Sequence, residues 1–202
     1  MDTAAKATVE LAWIPLGAGQ RVVKASGKIF EAASAWIGRR PRCDLYHSAL
    51  IVRDTEHRVV IEMTPVVDDD GAQRGVVAEG AVGMGWLGRF RIFRYEIRRW
   101  RNGIIPDLHF AVSVFPASRD PECAQRVLHL VPSVPTPVWG RDELRNGEMW
   151  NSNSVTAWLL VCSGVDVDRI APPNCGRAPG WDAGVAAASR RLRTEMVMSE
   201  SR

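Results

Sequence analysis

The sequence predicts an α+β fold in a single domain. Three observations carry the expectation. Residues 45–52 and 58–63 are two β-rich runs on either side of a short polar loop, the pattern of a hairpin. Residues 20–38 set Val22, Val23, Ile29, Phe30, Ala33, Trp36 and Ile37 at helical spacing. Residues 155–162 are largely apolar all round, as in a helix buried on every side.

The rest of the chain fits that class. Its 202 residues suit one domain, with a core expected over about 20–193 and flexible termini. Apolar residues make up 46% and charged residues 24%, values that exclude global disorder. Lys plus Arg is 26 against 23 for Asp plus Glu, and a net charge of +3 does not mark a nucleic-acid binder. No run approaches 18 consecutive apolar residues, so no transmembrane segment is expected. Residues 1–10 carry Asp2 and Glu10 and lack an apolar signal core. Cys43, Cys123, Cys162 and Cys175 are widely spaced with no CxxC pair, which fits reduced thiols and a cytoplasmic protein. A zinc site would need Cys43 and His47 joined by distant partners, so neither metal nor cofactor is expected.

Taken in order, residues 1–19 read as a lead-in broken by Pro15, Gly17 and Gly19. The helix over 20–38 stops at Gly38-Arg39-Arg40-Pro41-Arg42, and the hairpin of 45–63 ends at Pro65. Asp68-Asp69-Asp70-Gly71 reads as a solvated turn. Gly83-Met84-Gly85-Trp86-Leu87-Gly88 matches G-x-G-x-x-G, but a strand rather than a helix is expected after it, so it is not a dinucleotide site. That strand, 90–100, has six arginines in or beside it, with Phe93, Tyr95 and Ile97 on an inner face and Arg94, Glu96 and Arg98 on a charged outer one. Aromatic residues are not interleaved on the arginine face, which argues against nucleic acid. A short strand over 110–115 leads to a helix capped by Ser118, with Pro121 in its first turn, that runs to about Leu130. Pro132, Pro135 and Pro137 force an extended linker. The buried helix follows Trp150-Asn151-Ser152-Asn153-Ser154 and ends at Gly164, and a short Ala-rich helix runs from Trp181 to about Arg193.

Two places hold chemistry. His47 lies on the first hairpin strand and Glu62 on the second. A two-residue loop sets them directly opposite, and a four-residue loop puts Glu62 opposite Ala49, one diagonal step from His47 on the same face. A carboxylate there fixes the imidazole tautomer and raises its basicity, or simply satisfies a buried histidine. Asn151-Ser152-Asn153-Ser154 opens the buried helix, where either serine serves as a cap or, with free N–H groups and the helix dipole, as a nucleophile.

The order of these parts resembles the circularly permuted papain-like superfamily: the PPPDE-type peptidases, the permuted NlpC-type hydrolases and the lecithin–retinol acyltransferase-like proteins. The matching stretches are Tyr46-His47-Ser48-Ala49-Leu50-Ile51-Val52 and Asn151-Ser152-Asn153-Ser154 with the helix after it, within residues 43–163. The resemblance implies a curved antiparallel sheet packed on a central helix that carries the nucleophile. Where those proteins have Cys, this chain has Ser152. A serine is a far weaker acid than a cysteine and depends on its base. The resemblance therefore implies a hydrolase or acyltransferase acting on an amide, ester or thioester, with Ser152 as nucleophile, His47 as base and Glu62 as its orienter. Asn151, Asn153, the Ser152 N–H and, less directly, Asn146 are the expected oxyanion or substrate-binding groups. The alternative is a catalytically inactive relative that binds a peptide or acylated ligand in the same cleft. The oligomeric state is not legible.

Overall fold

The computed structural model describes residues 8–16, 39, 41–54, 57–66, 75–103 and 110–200. Among them the fold is α+β: strands β1 (Thr8–Pro15), β2 (Tyr46–Arg53), β3 (Arg58–Pro65), β4 (Val76–Ala81), β5 (Arg94–Arg101) and β6 (Ser113–Ser118), and helices α1 (Pro121–Leu130), α2 (Ser152–Cys162) and α3 (Trp181–Glu200). The expected helix over 20–38 and the turn at Asp68–Gly71 lie outside the described residues. The strands form one sheet in the order β4-β5-β3-β2-β1-β6, antiparallel throughout.

Period-2 alternation sends side chains of each strand to two faces. Leu11, Trp13, Leu50, Val52, Ile61, Tyr95 and Ile97 pack with Val127, Val155, Trp158 and Leu159 of the helices. Ala12, Ile14, Ala49, Ile51 and Val60 form a second buried cluster on the other face. A central strand buried on both sides explains β1, which reads as a lead-in in sequence because Pro15 lies at its end rather than inside it. β4 was hidden likewise among the glycines of 75–88.

The hairpin has the four-residue loop, since Arg53 pairs with Arg58. Pairing between β2 and β3 covers only Leu50↔Ile61 through Arg53↔Arg58, whereas β2 stays paired with β1 down to Tyr46 and β3 with β5 out to Pro65. The sheet is thus split at one end, between residues 46–49 and 62–65.

Three expectations need correction. The arginine-rich strand begins at Arg94, because 3-10 turns take Gly85–Arg89 and Arg91–Phe93 and leave Phe93 exposed. Arg98 is buried rather than solvent-facing, stabilised by the carboxylates of Glu96 and Glu62. The first-helix cap is Asp120, whose carboxylate accepts from the N–H groups of Glu122 and Cys123, while Ser118 Oγ accepts from Asp120 N–H. Gly164 ends α2 with φ +87° as its position suggests. α3 runs 20 residues, well past Arg193, and lies along α2. Gly184 permits that approach, since a Cβ there would overlap the Ser154 carbonyl.

Candidate active site at the split end of the sheet

A strand residue directs its N–H and C=O to the same side. Leu45 O accepts from Leu16 N–H, toward the β1 side, so Tyr46 and Ser48 direct their backbone groups the other way, to where β3 has parted from β2. Tyr46 N–H donates to Arg177 O there. The start of α2 takes the remaining positions. Asn153 Nδ2 donates to Tyr46 O at 2.9 Å, and Thr156 Oγ1 lies 3.5 Å from Ser48 O. Ser48 Oγ donates to Asn153 Oδ1 at 2.8 Å. The helix N-terminus thus docks at the edge of β2 that β3 vacates.

The asparagine and serine side chains beside Ser152 are committed. Asn151 is the cap, with Oδ1 accepting from Asn153 N–H at 2.8 Å and Nδ2 donating to Pro179 O at 2.7 Å. Ser154 closes the capping box, accepting from Asn151 N–H at 3.0 Å and donating to Gly180 O at 2.7 Å. Asn153 Nδ2 also donates to Pro179 O at 2.9 Å. Among the described residues neither the hydroxyl nor the amide N–H of Ser152 has a hydrogen-bond partner, and the residue is 7% exposed. The cap function therefore falls to Asn151 and Ser154, and Ser152 stands at the first position of an 11-residue buried helix with its donor and acceptor uncommitted.

The other expected site residues are placed as follows. The side-chain amides of Asn151 and Asn153 donate to backbone carbonyls, Asn151 to Pro179 O and Asn153 to Tyr46 O and Pro179 O. Asn146 closes a turn, its N–H on Asp142 Oδ1 and its Oδ1 accepting from Glu148 N–H, and no hydrogen bond joins it to α2 among the described residues. His47 sits between Tyr46 and Ser48, opposite Ile14. Alternation sends its side chain to the face of Ala49 and Ile51, whereas α2 packs on the face of Leu50 and Val52. A direct Ser152–His47 hydrogen bond is not formed. Alternation puts Glu62 on the same face of the sheet as His47, but β2 and β3 have parted there, so no strand pairing sets it beside Ala49. Glu62 Oε1 accepts from Arg98 Nη1 at 3.2 Å, and Arg98 Nε donates to Glu96 Oε1. The carboxylate expected to orient His47 thus belongs to a Glu–Arg–Glu cluster.

Sequence reasoning missed Ser48, Thr156, Glu96 and Arg98. A signal existed for Ser48 and Thr156, polar residues inside apolar runs, but only the tertiary contact gives them a function. A cavity of about 190 Å³ opens beside the 176–180 segment, with Glu148, Arg177, Trp181 and Asp182 in its wall. Burial, reinforced by Asp182, pushes the Glu148 carboxyl above its ordinary range. Among the described residues no cluster of three His, Cys, Asp or Glu would hold a metal, and no helix is long and apolar enough to cross a membrane. No family model, no curated protein and no solved structure matches the chain.

Proposed function

We propose that the protein is a serine-dependent hydrolase or acyltransferase of permuted papain-like type, acting on an amide, ester or thioester. The observation that carries the reading is the state of Ser152: its neighbours cap the helix and dock it, and its own hydroxyl and N–H are left for a ligand. In the proposed reaction Ser152 Oγ attacks the substrate carbonyl carbon while His47 takes the hydroxyl proton. The oxyanion forms beside the Ser152 N–H and the positive end of α2. The carbonyl then re-forms, the leaving group departs with the proton from His47, and the acyl group passes to water or to an acceptor. His47 starts on the sheet face opposite the one α2 packs on, so the reaction requires the split end of the sheet to rearrange and bring the imidazole within hydrogen-bond reach of Oγ when substrate binds.

A second reading is favoured by two observations: Ser152 and His47 are not hydrogen-bonded, and Glu62 is paired with Arg98. On that reading the cleft binds a peptide or an acylated ligand without turnover. A fluorophosphonate probe separates the two. Labelling of the wild-type protein that disappears in Ser152→Ala supports catalysis. Absence of labelling in both turns the reading to binding alone.

A further inference from the structure

Among the described residues, the connection between β4 and β5, residues 82–93, makes the largest group of exposed apolar side chains close together in sequence. Met84, Trp86, Phe90, Ile92 and Phe93 are all exposed, Trp86 by 58% and Ile92 by 80%. Neither of its 3-10 turns contains a buried residue. Side chains of this size project into water where a partner is to cover them.

The segment is built, not slack. Leu87 N–H donates to Met84 O, Phe90 N–H to Leu87 O and Phe93 N–H to Phe90 O, and its base is tied to Trp139 through Gly83 N–H. Trp86 Nε1 lies 3.3 Å from Met84 Sδ. The Arg89 guanidinium sits 5.3 Å from the Trp86 ring centroid and 5.0 Å from that of Phe90, so one cation joins the two aromatic rings. No acidic residue occurs between Glu79 and Glu96, while Arg89, Arg91 and Arg94 do. Arg94 Nη1 lies 3.3 Å from Glu79 Oε2, and the residues Arg89 and Arg91 are solvent-exposed among the apolar ones.

We propose that this loop docks the protein on an anionic lipid bilayer. Trp and Phe rings suit the headgroup boundary, Ile92 and Met84 suit the acyl region just beneath it, and Arg89 and Arg91 meet lipid phosphates. A loop that projects from an edge strand, with its rings and cations intermixed, matches a plane of that chemistry. A nucleic acid would leave Ile92 and Met84 without a function. The inference is independent of catalysis at Ser152.

Flotation of the full chain with vesicles tests it, using phosphatidylcholine alone and phosphatidylcholine mixed with phosphatidylserine. The wild type is expected to float with the mixed vesicles, less with the neutral ones, and to be released by salt. Arg89→Gln and Arg91→Gln should each lower partitioning about fivefold, and Ile92→Asp should abolish it. Brominated acyl chains should quench wild-type tryptophan fluorescence, with the quenching lost in Trp86→Phe; this measurement stands even where another variant fails to fold. The proposal is overturned by wild-type protein that stays with neither vesicle, or by Ile92→Asp that floats as wild type does. It is also overturned by an RNA mobility shift that the arginine variants lose and Ile92→Asp keeps, or by self-association through the loop without vesicle binding.

Discussion

Asn153 carries more of the site's geometry than Ser152 does. Its buried amide makes three hydrogen bonds, to Ser48 Oγ, Tyr46 O and Pro179 O, and so ties α2 to both β2 and the 176–180 segment. Asn153→Ala strands the Tyr46 carbonyl and the Ser48 hydroxyl in the interior, while Pro179 O keeps Asn151 Nδ2, at about 1–3 kcal/mol for each group left unsatisfied. We expect a loss of about 3 kcal/mol in urea unfolding for Asn153→Ala, against less than about 1 kcal/mol for Ser152→Ala, whose hydroxyl loses no bond. Equal losses for the two variants would refute this division of labour. At the same scale the sequence made the N-S-N-S motif visible but not the function of each member. Asn and Ser are both good caps, and the choice among them was settled by Pro179, Gly180 and Ser48, far away in the chain. Asn151, a candidate for both cap and oxyanion group in the sequence, is the helix cap.

Among elements, the junction of α2 and α3 is where close packing and charge meet. Gly184 brings the helices together, and Glu148, just before α2, accepts from the Asp182 N–H in the first turn of α3 at 3.1 Å. Burial raises the Glu148 carboxyl, and Asp182 adds to it, against the opposing backbone bonds and Arg177. A carboxyl whose pKa is higher folded than unfolded takes up protons on folding. Its contribution is complete below the ordinary carboxylate range and is lost as pH rises through the raised value. Glu148→Gln keeps an oxygen for the Asp182 N–H and removes the charge. We expect variant and wild type to be closest in stability in acid, with the variant gaining on wild type toward neutral pH. Denaturant melts at several pH values check this, and a variant that loses ground as pH rises would sink it. The hairpin and α2 were legible because their patterns are local. β1, β4 and the full length of α3 were not, because glycines, a terminal proline and a polar helix face hide elements that tertiary contacts hold.

Across the whole molecule, the centre of the sheet is buried on both faces and the sheet is split at one end, and the charges of its second face follow from that. The sequence showed the phase of β5 correctly: Tyr95 and Ile97 are in the main core, with Glu96 and Arg98 opposite. Alternation identifies a face, but it does not say what covers that face, so charged residues there read as solvent-exposed. Their burial is tolerated because they neutralise one another. Glu96 is 2% exposed and Arg98 6%, and Glu62 joins them from β3. Arg98→Met fills a similar volume but leaves two carboxylates without their shared cation. The expected cost at neutral pH is about 3–5 kcal/mol, as for other buried pairs broken on one side. Protonated carboxyls are far cheaper to bury, so the deficit relative to wild type should shrink as the buffer is acidified. It should change little with added salt, because buried charges are poorly screened. Unfolding curves for wild type and Arg98→Met across a pH series read all three expectations. A deficit independent of pH would mean that Arg98 supports the face by packing alone, leaving Glu62 free of the cluster and available to His47.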